Sequence, residues 1–338
     1  MENRQRVTIS DVAKLAGVSV STAARVFNSG WSGNVKTASK EKVLAAAKEL
    51  GYYGTNALAK SLNGSKTNII AIITAEQLGS FYSKVVLELI NAIKANGKQA
   101  MVFPVNPEVN SLTKIVAEVH QYCIDAAIVI SPATYDVVRS FNTEDFPLVL
   151  FNRGTEDSNI SAVYCDNFNV GRMAADFFMD QGLTQLGFLS GNNGPTVQME
   201  RLEGFTKRVQ ERGGVVTHVL DGNYTYASAV PLARQMLASS NRPEAVYCSE
   251  DSMAAAVIDV AQREFGLSIP QDLSVIGTDN TPLSEYLNYS ITTFAHPLPE
   301  MLASTMEILD QLLESNTKQY ERVYDMKLVI RDSVKLKT

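Results

Sequence analysis

From about residue 67 onward, short apolar runs rich in β-branched residues alternate with stretches whose apolar positions recur at helical spacing. The first half of this alternation reads IIAIIT at 69–74, a helix over 82–96, QAMVFPV at 99–105, a helix over about 110–121, AAIVIS at 126–131 and PLVLF at 147–151. The second half reads a helix over 168–181, LGFLSG, a helix over 198–212, GVVTHVL, a helix over 226–239, AVYCS, a helix over 251–265 and SVIGTDN. Strands this apolar are covered on both faces, and a helix after each makes neighbours parallel, so the pattern predicts doubly wound α/β sheets. Roughly ten strands exceed what one open sheet usually holds, which predicts two lobes. Ligands in such sheets sit beyond the carboxyl ends of the strands, so two lobes predict a cleft between them. SITTFAHP near residue 290 returns the chain to the first lobe, and a helix over 297–315 and a strand over 322–330 close both sheets. Several crossings between lobes form a hinge.

The first fifty residues follow another pattern. Ile9, Val12, Ala13 and Ala16 share one helical face, with Thr8 or Ser10 to cap it and Asp11 in the first turn. Gly17 follows the last periodic position, where a helix stops through positive φ, and Val18 plugs the turn. Ser19 caps a second helix whose inner face is Ala23, Val26 and Phe27, leaving Val20, Ser21, Thr22 and Arg25 outside. Small residues at Ala13 and Gly17 let two helices joined by so short a turn cross closely. A third helix over about 37–50 carries Val43, Leu44, Ala47 and Leu50 on one face and stops at Gly51. The whole is a helix-turn-helix, in which the second helix enters the major groove. Val20, Ser21 and Arg25 are then the candidate base readers, Arg25 by forking onto a guanine, and Thr22 a phosphate contact. The sole tryptophan, Trp31, sits in the loop NSGWSGN as a packing anchor.

Charge strengthens this division. Residues 1–66 hold ten Lys or Arg against four acids, a net of +6, and leave 20 bases against 32 acids in the remainder, a net of −12. A basic head on an acidic body suits a polyanionic partner for the head alone. A composition of 45% hydrophobic and 20% charged residues matches a globular chain of two or three domains. No apolar run reaches the roughly 20 residues of a membrane span, and MENRQRVTIS has no secretory-type stretch, so the expected location is the cytoplasm. Cys123, Cys165 and Cys248 are odd in number and set in apolar runs, which predicts free thiols; with only His120, His218 and His296 besides, no metal site is expected. No G-x-S-x-G elbow, Walker loop or G-x-G-x-x-G occurs, so neither an enzyme nor a cofactor is expected. A solute-binding module without a DNA role is the rival that the cleft permits and the basic head opposes.

TISDVAKLAGVSVSTAARVFN, the following NV, VLAAAKELGY and NALAKSL together resemble the DNA-binding head and hinge of the lactose-repressor (LacI/GalR) family of bacterial transcription regulators. The resemblance implies an N-terminal all-α helix-turn-helix head plus an α/β two-lobed core like a periplasmic binding protein. It implies a head over 1–54, a hinge helix and linker over 55–66, and an effector-binding and dimerisation domain over 67–338. Lobe 1 would span about 67–162 and 292–322, and lobe 2 about 163–291 and 323–338. Thr8, Ser19, Val20, Ser21, Thr22, Arg25 and Asn28 would contact DNA from the head. Asn56, Ala57, Lys60 and Leu62 would do so from a hinge lying in the minor groove, with Leu62 wedged between base steps. Ala23, Ala24, Thr55 and Lys36 depart from the family pattern, leaving Thr37 to cap the third helix.

In the body, the resemblance implies effector contacts from Phe81, Tyr82, Asp166, Asn167, Arg201, Tyr224, Asp251 and Asp279. Carboxylates accept hydroxyl protons, a guanidinium forks across neighbouring oxygens and aromatic faces cover a sugar ring, so a carbohydrate effector is expected, with purines the main competitor. The implied partners are double-stranded operator DNA, a small-molecule effector and a second copy of the chain, met in part through the 82–96 helix. The implied role is repression of a carbohydrate-utilisation operon.

Overall fold

The structure, a computed structural model, describes residues 7–27, 35–52, 66–106, 112–130, 146–155, 160–191, 197–314 and 319–337. The chain divides into two units, residues 1–68 and 69–338. Trp31, Asn28, Asn56, Ala57, Lys60 and Leu62 lie outside the described residues.

The first unit contains α1 (Ile9–Ala16), α2 (Val20–Phe27) and α3 (Thr37–Leu50). Thr8 and Asp11 form a capping box: the Thr8 amide donates to Asp11 Oδ2 at 2.8 Å, and Thr8 Oγ1 accepts from the Asp11 amide at 3.4 Å. Gly17 stops α1 at φ +64°, and the Val18 amide donates back to the Ala13 carbonyl at 3.0 Å, closing a Schellman turn. Ser19 Oγ accepts from the Thr22 amide at 3.2 Å, so the sequence's capping residue for α2 is in place. Val12, Ala13, Ala23, Val43, Ala46 and Ala47 are buried together, most of them alanines that let the helices approach closely. Two expectations need correction. Leu44 is 46% exposed, and Ala46 takes the inward position, because the third helix turns its 43/46/47 face to the core. Thr37 begins α3 rather than capping it, and the preceding Lys36 makes no side-chain cap bond.

The second unit is two doubly wound sheets. In chain order its elements are β1 (Ile69–Ala75), α4 (Ser80–Ala95), β2 (Gln99–Val105), α5 (Leu112–Gln121), β3 (Ala126–Val129), β4 (Leu148–Phe151) and β5 (Ser161–Cys165). These are followed by α6 (Asn167–Asp180), β6 (Gln185–Ser190), α7 (Val197–Glu211), β7 (Val215–Asp221), α8 (Tyr226–Leu237), β8 (Ala245–Cys248), α9 (Asp251–Phe265) and β9 (Ser274–Thr278). A short 3₁₀ turn (Pro282–Glu285), β10 (Thr292–Ala295), α10 (Leu298–Glu314), β11 (Glu321–Tyr324) and β12 (Lys327–Val329) complete it. The first sheet has the order β11-β5-β4-β3-β1-β2 and is parallel throughout. The second has the order β12-β10-β9-β8-β6-β7, parallel except for the antiparallel β10–β12 pair. Strands β3, β4 and β8 are buried at every position, as parallel strands covered by helices on both faces must be.

The lobe boundaries differ from those expected. The first sheet keeps its fifth strand through Cys165, and the SITTF strand belongs to the second sheet, where Thr292–Phe294 pair with Ile276–Thr278. The chain therefore returns to the first lobe only after Ala295, when α10 packs on β4, β5 and α4. The strand expected over 322–330 is two strands, one per sheet, with Asp325 and Met326 between them. Hydrophobic periodicity identifies a strand but carries no information about which free sheet edge it joins.

Two glycines bring α6 and α7 into backbone contact. A Cβ on Gly171 would lie 2.1 Å from the Arg201 carbonyl oxygen, and one on Gly204 would lie 2.0 Å from that of Phe168. Because α7 carries Arg201, this contact sets where that side chain starts.

Candidate functional site

The exposed face of α2 is the first candidate. Val20 is 47% exposed, with Ser21 and Arg25 exposed one helical turn apart beside it, while Ala23 is fully buried on the opposite side. Thr22 is half-buried, and its hydroxyl lies 2.8 Å from that of Ser19. Thr8 is exposed but engaged with Asp11, whose carboxyl is held below its ordinary range chiefly by the Thr8 side chain. Small polar side chains at the start of α2 and a cation in its last turn match a major-groove reader.

The second candidate is a cleft of about 460 Å³ between the two lobes of the second unit. Its walls are the residues that follow strand ends, as open α/β sheets require. From the first lobe come Gln77, Leu78, Gly79, Phe81 and Tyr82 after β1, Ile130 after β3, and Asn152 and Arg153 after β4. From the second come Asn223, Tyr224 and Thr225 after β7, Ser249 and Glu250 after β8, and Asp279 after β9. Val197, Gln198 and Arg201 enter from the first turns of α7.

Three cleft residues carry backbone strain. Asn152, Tyr224 and Asp279 have φ of +61°, +52° and +95°, values that side-chain-bearing residues rarely adopt and that cluster at ligand sites. Gly191 leaves room for the Tyr224 ring, since any side chain there would collide with the phenol.

Arg201 is 3% exposed and fixed from behind. Its Nε donates to Asn167 Oδ1 at 2.8 Å and one terminal nitrogen donates to the Ser249 carbonyl at 3.4 Å. Asn167 is held in turn by donating to the Cys165 carbonyl at 2.9 Å. Burial opposes the guanidinium charge, yet its acidic surroundings, the Asp279 carboxylate among them, hold the group above its ordinary range. Ser249 donates to Gln198 Oε1 at 2.5 Å, and Asn152 donates to the Tyr82 hydroxyl at 3.3 Å. His296 Nε2 lies 3.1 Å from Asp279 Oδ1, and its ring stacks on Phe81 at 4.4 Å.

Of the eight cleft residues expected from the sequence, Phe81, Tyr82, Arg201, Tyr224 and Asp279 line it together. The other three do not. Asp166 caps α6, accepting from the Asn169 amide at 2.8 Å. Asn167 acts behind Arg201 rather than in the cleft. Asp251 is fully buried and saturated: it accepts from the Thr281 amide at 2.7 Å, the Thr281 hydroxyl at 2.9 Å and the Thr293 hydroxyl at 2.6 Å. Acids directly before or at a helix start are drawn to its free amides and to neighbouring loops, which competes with ligand contact. Asn152 and Arg153, which the resemblance does not name, also line the cleft; in FNRG they are polar residues directly after an apolar strand, a signal the sequence carries.

Glu250 adds an acid to the cleft wall. Burial raises its carboxyl to about 7, with Asp279 and Asp251 adding to the rise and the Ser252 hydroxyl, 2.5 Å away, opposing it. Asp251 is likewise pushed up to about 7, chiefly by burial. An acid whose folded-state value lies above its unfolded one keeps its proton longer in the folded state, so stability falls as pH rises from about 4.5 to about 7. At 1.36 kcal/mol per unit, Glu250 costs the ionised protein roughly 3 kcal/mol. Glu250→Gln therefore gains thermal stability over the wild type, the gain growing from pH 5 to about 7 and staying level above it. Melting curves that run parallel across that range would refute the assignment.

An exposed basic recognition helix and a cleft lined by fixed polar groups define a DNA-binding regulator with a small-molecule effector. Residues 8–54 match the family described as bacterial regulatory proteins, lacI family, and residues 175–334 a periplasmic binding protein-like domain. The chain is 30% identical over 334 residues to the HTH-type transcriptional repressor PurR of Photobacterium profundum, covering 97% of this chain and 98% of that protein. It is 27% identical over 335 residues to the HTH-type transcriptional regulator DegA of Bacillus subtilis, covering 97% and 98%. Among solved structures, the lac repressor dimer bound to operator and the anti-inducer ONPF superposes with a TM-score of 0.85 at 23% identity, covering 97% and 99% of the two chains. The transcriptional regulator CelR in complex with cellobiose superposes with a TM-score of 0.69 at 25% identity, covering 97% and 100%. The chain belongs to the lacI family of bacterial regulatory proteins and is a DNA-binding transcriptional repressor of that family. Among the described residues no helix is long and apolar enough to cross a membrane, and no group of three or more His, Cys, Asp or Glu could hold a metal.

Proposed function

We propose that the protein is a homodimer that represses a carbohydrate-utilisation operon and is controlled by a carbohydrate bound between the lobes. The observation that carries the effector class is the pairing of the fixed Arg201 with Asp279, Glu250, Asn152 and Asn223 around Phe81, Tyr82 and Tyr224. Alternating acceptors and donors suit vicinal hydroxyls, and the rings suit the C–H face of a pyranose. Arg153 and Arg201 match Glu250 and Asp279 in number, a balance that suits an uncharged effector. A purine is the second reading, favoured by the apolar share of the wall, with Leu78, Val129, Ile130, Leu150 and Val197 forming a slot for a flat base.

Thermal unfolding against glucose, galactose, cellobiose, adenine and hypoxanthine tests the choice, because a ligand that binds only the folded state raises the midpoint by mass action. A saturable rise with a sugar supports the carbohydrate reading; a rise with a base alone replaces it by the second. On the DNA side, operators selected from a random pool should bind with steep salt dependence. Arg25→Ala should then lose about 10- to 100-fold of the preference for the selected over a scrambled site, measured by fluorescence anisotropy. An unchanged preference would remove Arg25 from the reading face.

A further inference from the structure

Beside the cleft, Cys165 and His296, which the effector reading leaves unused, meet its Asp279 in a chain of side chains. The Cys165 thiol lies 3.4 Å from His296 Nδ1, and His296 Nε2 lies 3.1 Å from Asp279 Oδ1. The three come from different places: Cys165 ends β5 in the first sheet, Asp279 follows β9 in the second, and His296 stands between β10 of the second sheet and α10 on the first. The imidazole therefore occupies a passage between lobes, stacked on Phe81 of the first lobe with the ring planes 25° apart. Its side chain is 1% exposed.

We infer that His296 is a positioning residue for the cleft: a neutral imidazole that donates Nε2–H to Asp279 Oδ1, accepts at Nδ1 from the Cys165 thiol, and so leaves Asp279 Oδ2 to face a bound effector. The inference deepens the effector reading and rests on it for the role of Asp279. The opposite tautomer would set a nitrogen lone pair against the carboxylate oxygen, which is repulsive at 3.1 Å. A second proton is opposed by burial, the main cause lowering the imidazole below its usual value, and by the nearby Arg201 cation, while Asp279 works the other way. The thiol is a donor, since burial pushes it up to about 12. Its alternative acceptor is Met301 Sδ at 3.7 Å, a weaker partner than imidazole nitrogen. Asp279 sits at a strained backbone φ of +95°, and the His296 hydrogen bond adds a side-chain restraint at that point.

Two measurements on the full chain test this. The first needs no ligand: histidine is labelled with ¹⁵N, and long-range ¹H–¹⁵N spectra are read for the three imidazoles. One set of signals, assigned by its disappearance in His296→Gln, should report a neutral Nε2–H ring between pH 6 and 8 that shifts in Asp279→Asn. A protonated ring or an Nδ1–H ring at pH 7, or signals indifferent to Asp279→Asn, overturns the proposal even if every other variant fails to fold. The second uses the sugar and base set above. A compound that raises the wild-type midpoint should lose most of that rise in His296→Leu and keep it in His296→Gln, whose amide still offers one donor and one acceptor. Equal rises in all three proteins overturn the positioning role. If Arg201→Ala and Asp279→Ala also keep the rise, it is the cleft reading that has failed; if they lose it and His296→Leu does not, only this inference falls. Should no compound act on the wild type, the tautomer measurement decides alone.

Discussion

Gly204→Ala lowers the thermal midpoint of the 69–338 unit by roughly 5–10 °C, an effect of about 3 kcal/mol or more at the 2–4 °C per kcal/mol typical of large domains. The added methyl has nowhere to go: at 2.0 Å from the Phe168 carbonyl oxygen it meets backbone, which cannot rotate aside as a side-chain tip can. Gly171→Ala should act alike, since its methyl would meet the Arg201 carbonyl oxygen at 2.1 Å and the Phe205 amide nitrogen at 2.7 Å. Relief requires α6 and α7 to separate, and Arg201 moves with α7. Both variants should therefore lose effector response before they lose secondary structure. Circular dichroism melts with the panel compounds present and absent separate the two losses; a wild-type midpoint in Gly204→Ala would show that the helices are not in backbone contact.

Arg201→Met abolishes effector binding, with an expected loss of at least about 100-fold, or roughly 3 kcal/mol. The substitution keeps a long stem in a site 3% exposed, so packing is largely preserved, but it removes the donors and leaves Asn167 Oδ1 without its 2.8 Å partner. Buried polar groups stranded in this way carry the full desolvation penalty, which is why truncating one partner costs more than the pair contributes. Operator binding should survive and become insensitive to the effector, because α2 belongs to the other unit. Calorimetry with the panel compound that stabilises the wild type provides the measurement. Affinity within about threefold of wild type would take Arg201 out of the ligand's first contacts.

Different parts of this molecule were legible to different degrees. In the head, caps and stops are local: Thr8 with Asp11, Gly17 with Val18 and Ser19 with Thr22 each act within a few residues, so the spacing of residue types was enough to place α1 and α2. Leu44 fits the periodic face because Ala47 lies one helical turn on, but only the crossing of three helices selects which edge is covered, and Leu44 stays 46% exposed. In the body, the family resemblance, in agreement with the rule that ligands sit beyond strand ends, points to Phe81, Tyr82, Tyr224 and Asp279. It could not separate them from Asp166 and Asp251, which also follow strands but spend their oxygens on the Asn169 amide and on Thr281 and Thr293. Residue type and position are the same in both cases; the competing partners lie up to 42 residues away.

By itself the sequence determined most of the elements and the two kinds of unit, because periodicity, capping and charge are properties of contiguous residues. Tertiary structure alone decided that the 292–295 strand joins the second sheet, that Asn167 stands behind Arg201, and that Cys165, His296 and Asp279 meet. Those outcomes depend on long-range pairing, where several edges and acceptors compete for one group and the winner is set by packing of the whole lobe.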